Sequence, residues 1–240
     1  MRIITWNCNM AFRKKADIIL AHNPDILVVP ECEHPDKLKF PPGTRTPNDV
    51  LWFGANLNKG LGVFSYSDFK FQLVDDYRPE FRMVIPIRVV GKKSGFILHA
   101  IWANNPDDPD GQYVTQVWKA INHYDHLLKN KGTVLAGDFN SNTIWDRPRR
   151  EGNHSTVVDL LLKKGIHSVY HKYFKMTQGK EKHPTLYLYK KKDKPYHIDY
   201  CFVSEDFSEK LQSVEVGKHR FWTRYSDHVP VIATFRTGNC

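Results

Sequence analysis

The chain has 240 residues, 41% hydrophobic and 25% charged, and its 35 Lys+Arg against 26 Asp+Glu leave a formal charge of +9. That composition belongs to a globular protein with ample core for one large domain, and no apolar run approaches the roughly 20 residues of a membrane span. The opening MRIITWNCNMAF lacks the apolar block of a secretory signal, and Cys8, Cys32, Cys201 and Cys240 are scattered without a CxxC pair, which argues against a disulfide framework and a zinc ribbon. The expectation is one domain over 1–240 in the cytoplasm, with no membrane and no obligate protein partner.

In chain order, Arg2 to Trp6 (RIITW) reads as a short buried strand, and Ala16 to Ala21 has helical apolar spacing that Asn23-Pro24 ends. Asp25 to Val29 (DILVV) is a second strand, stopped by Pro30. Leu61 to Tyr66, Phe81 to Val90 and Phe96 to Trp102 are rich in β-branched and aromatic residues and read as strands. Gly111 to Lys129 spaces Val114, Val117, Trp118, Ile121 and Leu128 as an amphipathic helix does. Thr133 to Ala136 is a strand leading into GDFN, and Ser155 to Lys164 is a helix with Gly165 as its stop. Thr185 to Tyr189, Ile198 to Val203 and Val229 to Phe235 complete a strand-rich second half. Without a linker or a repeat, this order fits two sheets packed face to face with helices outside.

Polar residues stand just beyond these apolar strands, where a side chain projects from a rigid edge. Asn7 follows IITW, Glu31 follows DILVVP, and Asp138 and Asn140 follow TVLAG. Asp199 opens IDYCFV, and Asp227-His228 precede VPVIATF. One such residue is ordinarily a turn or cap residue. Seven at five strand ends suit phosphodiester hydrolysis, which needs neutralised phosphoryl oxygens, an activated water and a stabilised leaving oxygen. Glu31 is the best candidate for a hard divalent cation. An Asp can activate water, Asn can bond phosphoryl oxygens, and a His beside an Asp can bond a non-bridging oxygen.

The charge is concentrated. From Arg147 to Lys194 there are 13 Lys+Arg and 4 Asp+Glu, an excess equal to that of the whole chain. The segment includes RPRRE, preceded by Asp146, and the run Lys190-Lys191-Lys192, with Tyr170, Tyr173, Phe174, Tyr187 and Tyr189 interleaved and Tyr196 just past it. A phosphate-facing surface is the expectation, with Arg147, Lys190, Lys191 and Lys192 as contacts.

TWN (Thr5 to Asn7), PDILVVPE (Pro24 to Glu31), GDFN (Gly137 to Asn140), HIDY (His197 to Tyr200) and SDHVPV (Ser226 to Val231) follow in order along nearly the whole chain. In these motifs the chain resembles the endonuclease/exonuclease/phosphatase superfamily, which includes exonuclease III, DNase I, inositol polyphosphate 5-phosphatases and neutral sphingomyelinases. The resemblance implies an α/β fold, a four-layer αββα sandwich of two mixed sheets, with a Mg²⁺-dependent site at one end (Mn²⁺ as a substitute). Carried over by motif, Glu31 resembles the principal metal ligand and Asp227 an auxiliary or second one. Asp138 resembles the water-activating residue, Asn140 its phosphate-contacting partner and Asn7 the amide that orients them. Asp199 and His228 resemble a pair bonded to each other and to phosphate.

Two stretches depart from the pattern. After TWN, Asn9 is kept but Met10-Ala11-Phe12-Arg13 follows, which weakens the case for abasic-site specificity. Where relatives carry a Tyr or a His after a central strand, this chain reads Trp102-Ala103-Asn104-Asn105. Trp102 can stack or donate but cannot act as an acid, and Asn105 keeps a phosphate contact. Strand parity puts His99 on the face opposite Trp102, so Trp102 is expected in the cleft and His99 outside it. His154, His171 and His183 lack a carboxylate pattern and read as polar loop residues rather than a zinc site. The expected function is Mg²⁺-dependent phosphodiester hydrolysis of nucleic acid, DNA foremost, by an endonuclease or exonuclease. A phosphatase for small or lipid-borne phosphate esters such as inositol phosphates is the alternative, and a non-catalytic nucleic-acid-binding scaffold the third reading.

Overall fold

Strand patterning decides this architecture, because runs such as IITW, LVV and VLA are apolar on both faces and need a sheet covered on each side. The computed structural model describes residues 1–81, 83–92, 94–104, 113–148 and 150–236. In chain order the elements are β1 (Arg2–Thr5), α1 (Ala16–Leu20), β2 (Ile26–Cys32), β3 (Asp49–Asn56), β4 (Lys59–Ser65), β5 (Lys70–Leu73), β6 (Val84–Val90), β7 (Gly95–Trp102), α2 (Tyr113–His123) and β8 (Thr133–Asp138). There follow α3 (His154–Lys163), β9 (Ile166–Ser168), α4 (Val169–Phe174), β10 (Leu186–Tyr187), β11 (Pro195–Tyr196), β12 (Asp199–Ser204), α5 (Glu205–Ser208), β13 (Leu211–Val216), α6 (His219–Trp222) and β14 (Val231–Phe235).

The strands form two six-stranded mixed sheets, ordered β13-β14-β1-β2-β4-β3 and β5-β6-β7-β8-β12-β9, with β10 and β11 as a separate small hairpin. Each large sheet holds one parallel pair, β1 with β2 and β7 with β8, among antiparallel neighbours. The sheets pack on an apolar layer that includes Ile3, Val28, Val63, Ile87, Leu98, Ala136 and Val231. Outside the second sheet, α2 and α3 bury Val117, Ile121, Val157 and Leu161. Outside the first, α1 and α6 bury Ile19, Leu20 and Trp222 with Trp6 and Phe12. A five-residue helix such as α1 is too short to persist alone, so burial of Ile19 and Leu20 holds it. This is the expected αββα sandwich.

Several expected boundaries move. The run Phe81 to Val90 is extended only from Val84, because Pro79–Phe81 closes into a 3-10 turn. Within the apolar run Gly111 to Lys129, α2 ends at His123 and a 3-10 turn follows over Asp125–Leu127. Thr185 to Tyr189 is extended only over Leu186–Tyr187, since Tyr189 and Lys190 take φ of 57° and 61° in a 3-10 turn. Gly137 has φ +149°, and a Cβ there would lie 1.8 Å from the Ile101 carbonyl oxygen. Close approach of β7 and β8 thus requires the glycine of GDFN.

Candidate active site

Five strands bring their ends to one edge of the sandwich. β1 and β2 run toward it in one sheet and β8 in the other, while β12 departs from it and β14 follows the loop that holds Asp227 and His228. Register sets the centre. Asp199 of β12 pairs with Asp138 of β8, and Trp102 of β7 pairs with Asp138 on the other side.

Asp138 is fully buried and its two oxygens accept three hydrogen bonds. Oδ2 accepts from Asn7 Nδ2 at 3.0 Å and from Asn140 Nδ2 at 3.1 Å, and Oδ1 accepts from the Asn140 backbone N–H at 2.9 Å. Asn140 makes these bonds from a left-handed backbone (φ 46°), which Asn tolerates, and also donates Nδ2 to the Ala103 carbonyl at 3.1 Å. Asn7 Nδ2 reaches Glu31 Oε1 at 3.3 Å as well. Asp199 is held by Thr185, whose hydroxyl oxygen accepts from the Ile198 and Asp199 N–H groups. His228 Nδ1–H donates to Asp199 Oδ2 at 2.9 Å, and Ser226 Oγ fixes this loop by donating to the Asn7 carbonyl and accepting from the His228 N–H.

The electrostatics oppose one another. Burial, followed by repulsion from Asp199, pushes the Asp138 carboxyl up to about 7 despite its donors. Burial alone would push His228 down, but the carboxylates of Asp199 and Asp138 and the bond to Asp199 outweigh it and raise the imidazole to about 10. At neutral pH the site therefore holds an imidazolium beside a carboxyl poised to exchange a proton. Asp199 Oδ1 is buried with no hydrogen-bond partner, as in a site that a cation or ligand completes.

Glu31 owes its aim to the backbone. It sits at the register break between Pro30 and Cys32 with φ 62°, so β2 bulges and turns the carboxylate toward the cleft. A left-handed non-glycine residue of this kind costs about 1–3 kcal/mol. Asp227, half-buried, accepts from Asn9 Nδ2 at 2.9 Å, and Asn9 N–H is bonded to Asn7 Oδ1 at 3.0 Å. Glu31, Asp138, Asp199 and Asp227 are hard oxygen donors of the kind a divalent cation takes. Ligand atoms of Asp138, Asp199 and His228 lie within 4.8 Å of one another. The bond to Asp199 and the retained proton make His228 an ion-pair partner there, so the carboxylates are the better donors.

Trp102 is nearly buried at the cleft wall, on the inter-sheet face with Leu98 and Ala100. His99 is fully buried on the helix side, its ring 6.1 Å from Tyr124, as strand parity predicts. Asn105 lies outside the described residues. Of the expected basic contacts, Lys190, Lys191 and Lys192 are exposed on the loop between β10 and β11, which is tied to the His228 segment by the Leu186–His228 bridge and the Tyr187 N–H to Asp227 carbonyl bond. Arg147 is exposed just past Trp145 and Asp146.

The basic segment does not form one surface. Lys164 pairs with Asp125 at 2.5 Å near the start of β8, at the far end from Asp138, and Lys172 bonds Glu205 and Ser208. Tyr170 and Tyr187 are core residues, whereas Tyr189 is 73% exposed. His154 bonds Ser141, His171 pairs with Glu181 at 2.9 Å and His183 bonds Tyr170, so His154 on α3 and His171 on α4 belong to a packed network rather than to polar loops.

Two side chains without any local sequence signal also bear on the site, Lys59 in the cleft and Glu33 beneath the turn that holds Asn9. Lys59 Nζ lies 3.2 Å from Glu31 Oε2 and 5.3 Å from the centre of the Trp102 ring. Buried Glu33 accepts from the Phe12 and Arg13 N–H groups and pairs with the Arg13 guanidinium at 2.8 Å, which holds the left-handed Asn9-Met10-Ala11 turn in place. Depressions flank the acidic cluster on both sides. One of about 690 Å³ opens past Lys59 and Trp102, and one of about 290 Å³ past Asn140 and Trp145.

The profile of the Endonuclease/Exonuclease/phosphatase family matches residues 4–228, a span that takes in every motif of this edge. The chain belongs to that family. Endonuclease/Exonuclease/phosphatase members are hydrolytic phosphoesterases that depend on divalent metal. Among solved structures, the chain is similar to an AP endonuclease from Archaeoglobus fulgidus (TM-score 0.70, 21% identity, 99% of this chain and 100% of that one). It is similar to a 3' phosphatase from Neisseria bound to product DNA hairpin (TM-score 0.65, 23% identity, 99% and 100%). It is also similar to an endonuclease/exonuclease/phosphatase from Beutenbergia cavernae (TM-score 0.66, 17% identity, 100% and 72%). At these identities the likeness is one of fold. No curated protein sequence matches the chain.

Proposed function

We propose that this chain is a Mg²⁺-dependent phosphodiesterase acting on nucleic acid, DNA foremost, as an endonuclease or exonuclease. The observation that carries the reading is the buried Asp138, held by Asn7 and Asn140 and set beside the His228–Asp199 pair, with a depression on either side for a ligand longer than one phosphate ester. The exposed Lys190 to Lys192 loop on the rim and the DNA hairpin in the Neisseria relative agree with it. Asp138, near neutrality, accepts a proton from the attacking water. His228, protonated, has Nδ1–H committed to Asp199 and Nε2–H free to donate to a phosphoryl oxygen. Asn140 is read as the phosphate-contacting partner, its Nδ2–H turning to phosphate from the Ala103 carbonyl, and Asn7 keeps Asp138 in place. A divalent cation, Mg²⁺ or Mn²⁺, held by Glu31 with Asp227 as second carboxylate, supplies the positive charge that neutralises the phosphoryl oxygens.

Trp102, Asn9, Arg147 and the three lysines are read as substrate contacts, as is Asn105. We infer a cytoplasmic setting, which the free, buried Cys8, Cys32 and Cys201 support, as thiols in a reducing compartment. No helix among the described residues is long and apolar enough to cross a membrane.

The test is a substrate panel with Mg²⁺ or Mn²⁺: plasmid, single-stranded DNA, abasic duplex, RNA and inositol phosphates. Nicked plasmid that disappears with EDTA or with Asp138→Asn supports the reading. Untouched nucleic acid with phosphate released from inositol phosphates overturns it in favour of a small-ester phosphatase. Tight DNA binding without metal binding or turnover overturns it in favour of a scaffold.

A further inference from the structure

Phosphodiester hydrolysis at this edge leaves one atom without a partner. Asp138 takes a proton from the attacking water, while His228, Asn140 and a cation at Glu31 serve the phosphoryl oxygens. The departing oxygen also gathers negative charge as its bond to phosphorus breaks, and it is stabilised by a donor or a positive charge aimed at it. Trp102 stands on the cleft wall beside Asp138, but its indole N–H is a neutral donor that supplies no charge. Lys59 supplies one.

The backbone fixes where Lys59 points. It opens β4 opposite Asn56, and the hairpin tip is tied down by the bond from His34 N–H to the Leu57 carbonyl at 2.9 Å and from Asn58 N–H to Asn56 Oδ1 at 2.9 Å. At Gly60, next along, a Cβ would lie 2.3 Å from the Trp52 ring on the outer face of the sheet. Side chains alternate along a strand, so Lys59 faces the opposite way, into the cleft. There its Nζ lies 3.2 Å from Glu31 Oε2 and 5.3 Å from the centre of the Trp102 ring. Glu31 is its one ion-pair partner among the described residues, and an ammonium with three N–H donors keeps capacity for a ligand in the cleft. Asn7 Nδ2 spans Asp138 Oδ2 and Glu31 Oε1, while Lys59 meets the other oxygen of Glu31. The order across the cleft is thus Asp138, Asn7, Glu31, Lys59, with a base at one end and a cation at the other. In-line displacement puts the attacking and leaving oxygens on opposite sides of phosphorus, as these two ends are disposed.

Resting on the nuclease reading above, we propose that Lys59 stabilises the departing oxygen of the scissile phosphodiester. Water attacks phosphorus from the Asp138 side and gives that carboxylate its proton. The bond from phosphorus to the sugar oxygen breaks, and its electron pair stays on that oxygen. The Lys59 ammonium donates a hydrogen bond to it and offsets its charge until solvent protonates it. The ion pair with Glu31 is half exposed and adds little to the fold, so loss of Lys59 is read in turnover rather than in folding.

The experiment follows wild-type protein, Lys59→Met and Lys59→Arg with Mg²⁺ on two substrates. One is a short DNA strand, whose departing group is a sugar alkoxide. The other is a small phosphodiester that releases nitrophenolate, an anion that spreads its charge over its own ring. Lys59→Met is expected to lose about 10²–10³-fold in kcat on DNA but under about fivefold on the nitrophenyl ester, and Lys59→Arg to regain about tenfold or more on DNA. Without substrate, Mg²⁺ should raise the melting temperature of Lys59→Met at least as far as that of wild type, because Glu31 no longer holds an ammonium. An equal fall on both substrates, DNA turnover that survives in Lys59→Met, or a smaller rise with Mg²⁺ overturns the role of Lys59 and leaves the nuclease reading standing. Wild-type protein that leaves DNA intact and releases phosphate from inositol phosphates overturns the nuclease reading itself.

Discussion

Asp138→Asn should change how stability depends on pH in a way that its buried position dictates. The folded protein holds this carboxyl at about 7 against an ordinary 3.8. Between those values the native state keeps a proton that the unfolded chain has released. The contribution of this group is therefore fully present below about pH 4, declines by about 1.4 kcal/mol per pH unit, and is gone above about pH 7. Over roughly three units the loss amounts to about 4 kcal/mol, and Asp138→Asn, having no proton to lose, escapes it. His228 stays protonated in the native state across this range, so its contribution largely cancels between the two proteins. At the acid end the variant is expected to be the less stable of the two, because an amide NH₂ must face the donors Asn7 Nδ2 and Asn140 N–H. Urea unfolding in metal-free buffer, followed by tryptophan fluorescence from pH 4.5 to 8, gives the difference at each pH. It should rise in favour of the variant by several kcal/mol and flatten above about pH 7. A difference that stays constant to within about 1 kcal/mol would refute the argument, because Asp138 would then ionise as an ordinary carboxyl.

The same geometry sets other outcomes. His228→Ala leaves Asp199 with neither carboxylate oxygen partnered and should cost about 3–5 kcal/mol by thermal or urea unfolding, of which the double variant with Asp199→Asn recovers a large part. Gly137→Ala should cost at least about 3 kcal/mol or abolish soluble expression, since its Cβ would meet the Ile101 carbonyl oxygen at 1.8 Å. Changing Lys190, Lys191 and Lys192 to Gln should flatten the slope of log K against log salt for duplex DNA by about two to three, with hydrolysis of a small chromogenic phosphodiester unchanged. Glu31→Gln should abolish the rise in melting temperature that Mg²⁺ gives the wild-type protein, measured without substrate.

The centre of this site is legible in the sequence because its residues end apolar strands. IITW-N, TVLAG-D and the Asp before YCFV each couple a buried run to one polar side chain, and register then places Asp199 beside Asp138. The flanks are not legible in this way. Nothing local marks Lys59, which meets Glu31 and Trp102 only after β3 and β4 pair. Nor does sequence show that Pro30-Glu31-Cys32 bulges, since Glu has no preference for φ 62° and tertiary contacts impose it. Charge misleads in the same way. Lys164 and Lys190 belong to one basic stretch, yet one lies beside Asp125 at the far end of β8 and the other on the loop at the cleft rim. β13 (LQSVEV) alternates as an edge strand should, and only its pairing with β14 separates it from a polar loop.

β1 lies between β14 and β2, with Met1 and Phe235 exchanging backbone hydrogen bonds. During synthesis β1 therefore keeps one edge open until β14 has been made. Asn7 and His228 cannot face one another until that pairing closes, so no nascent fragment assembles the whole acidic edge.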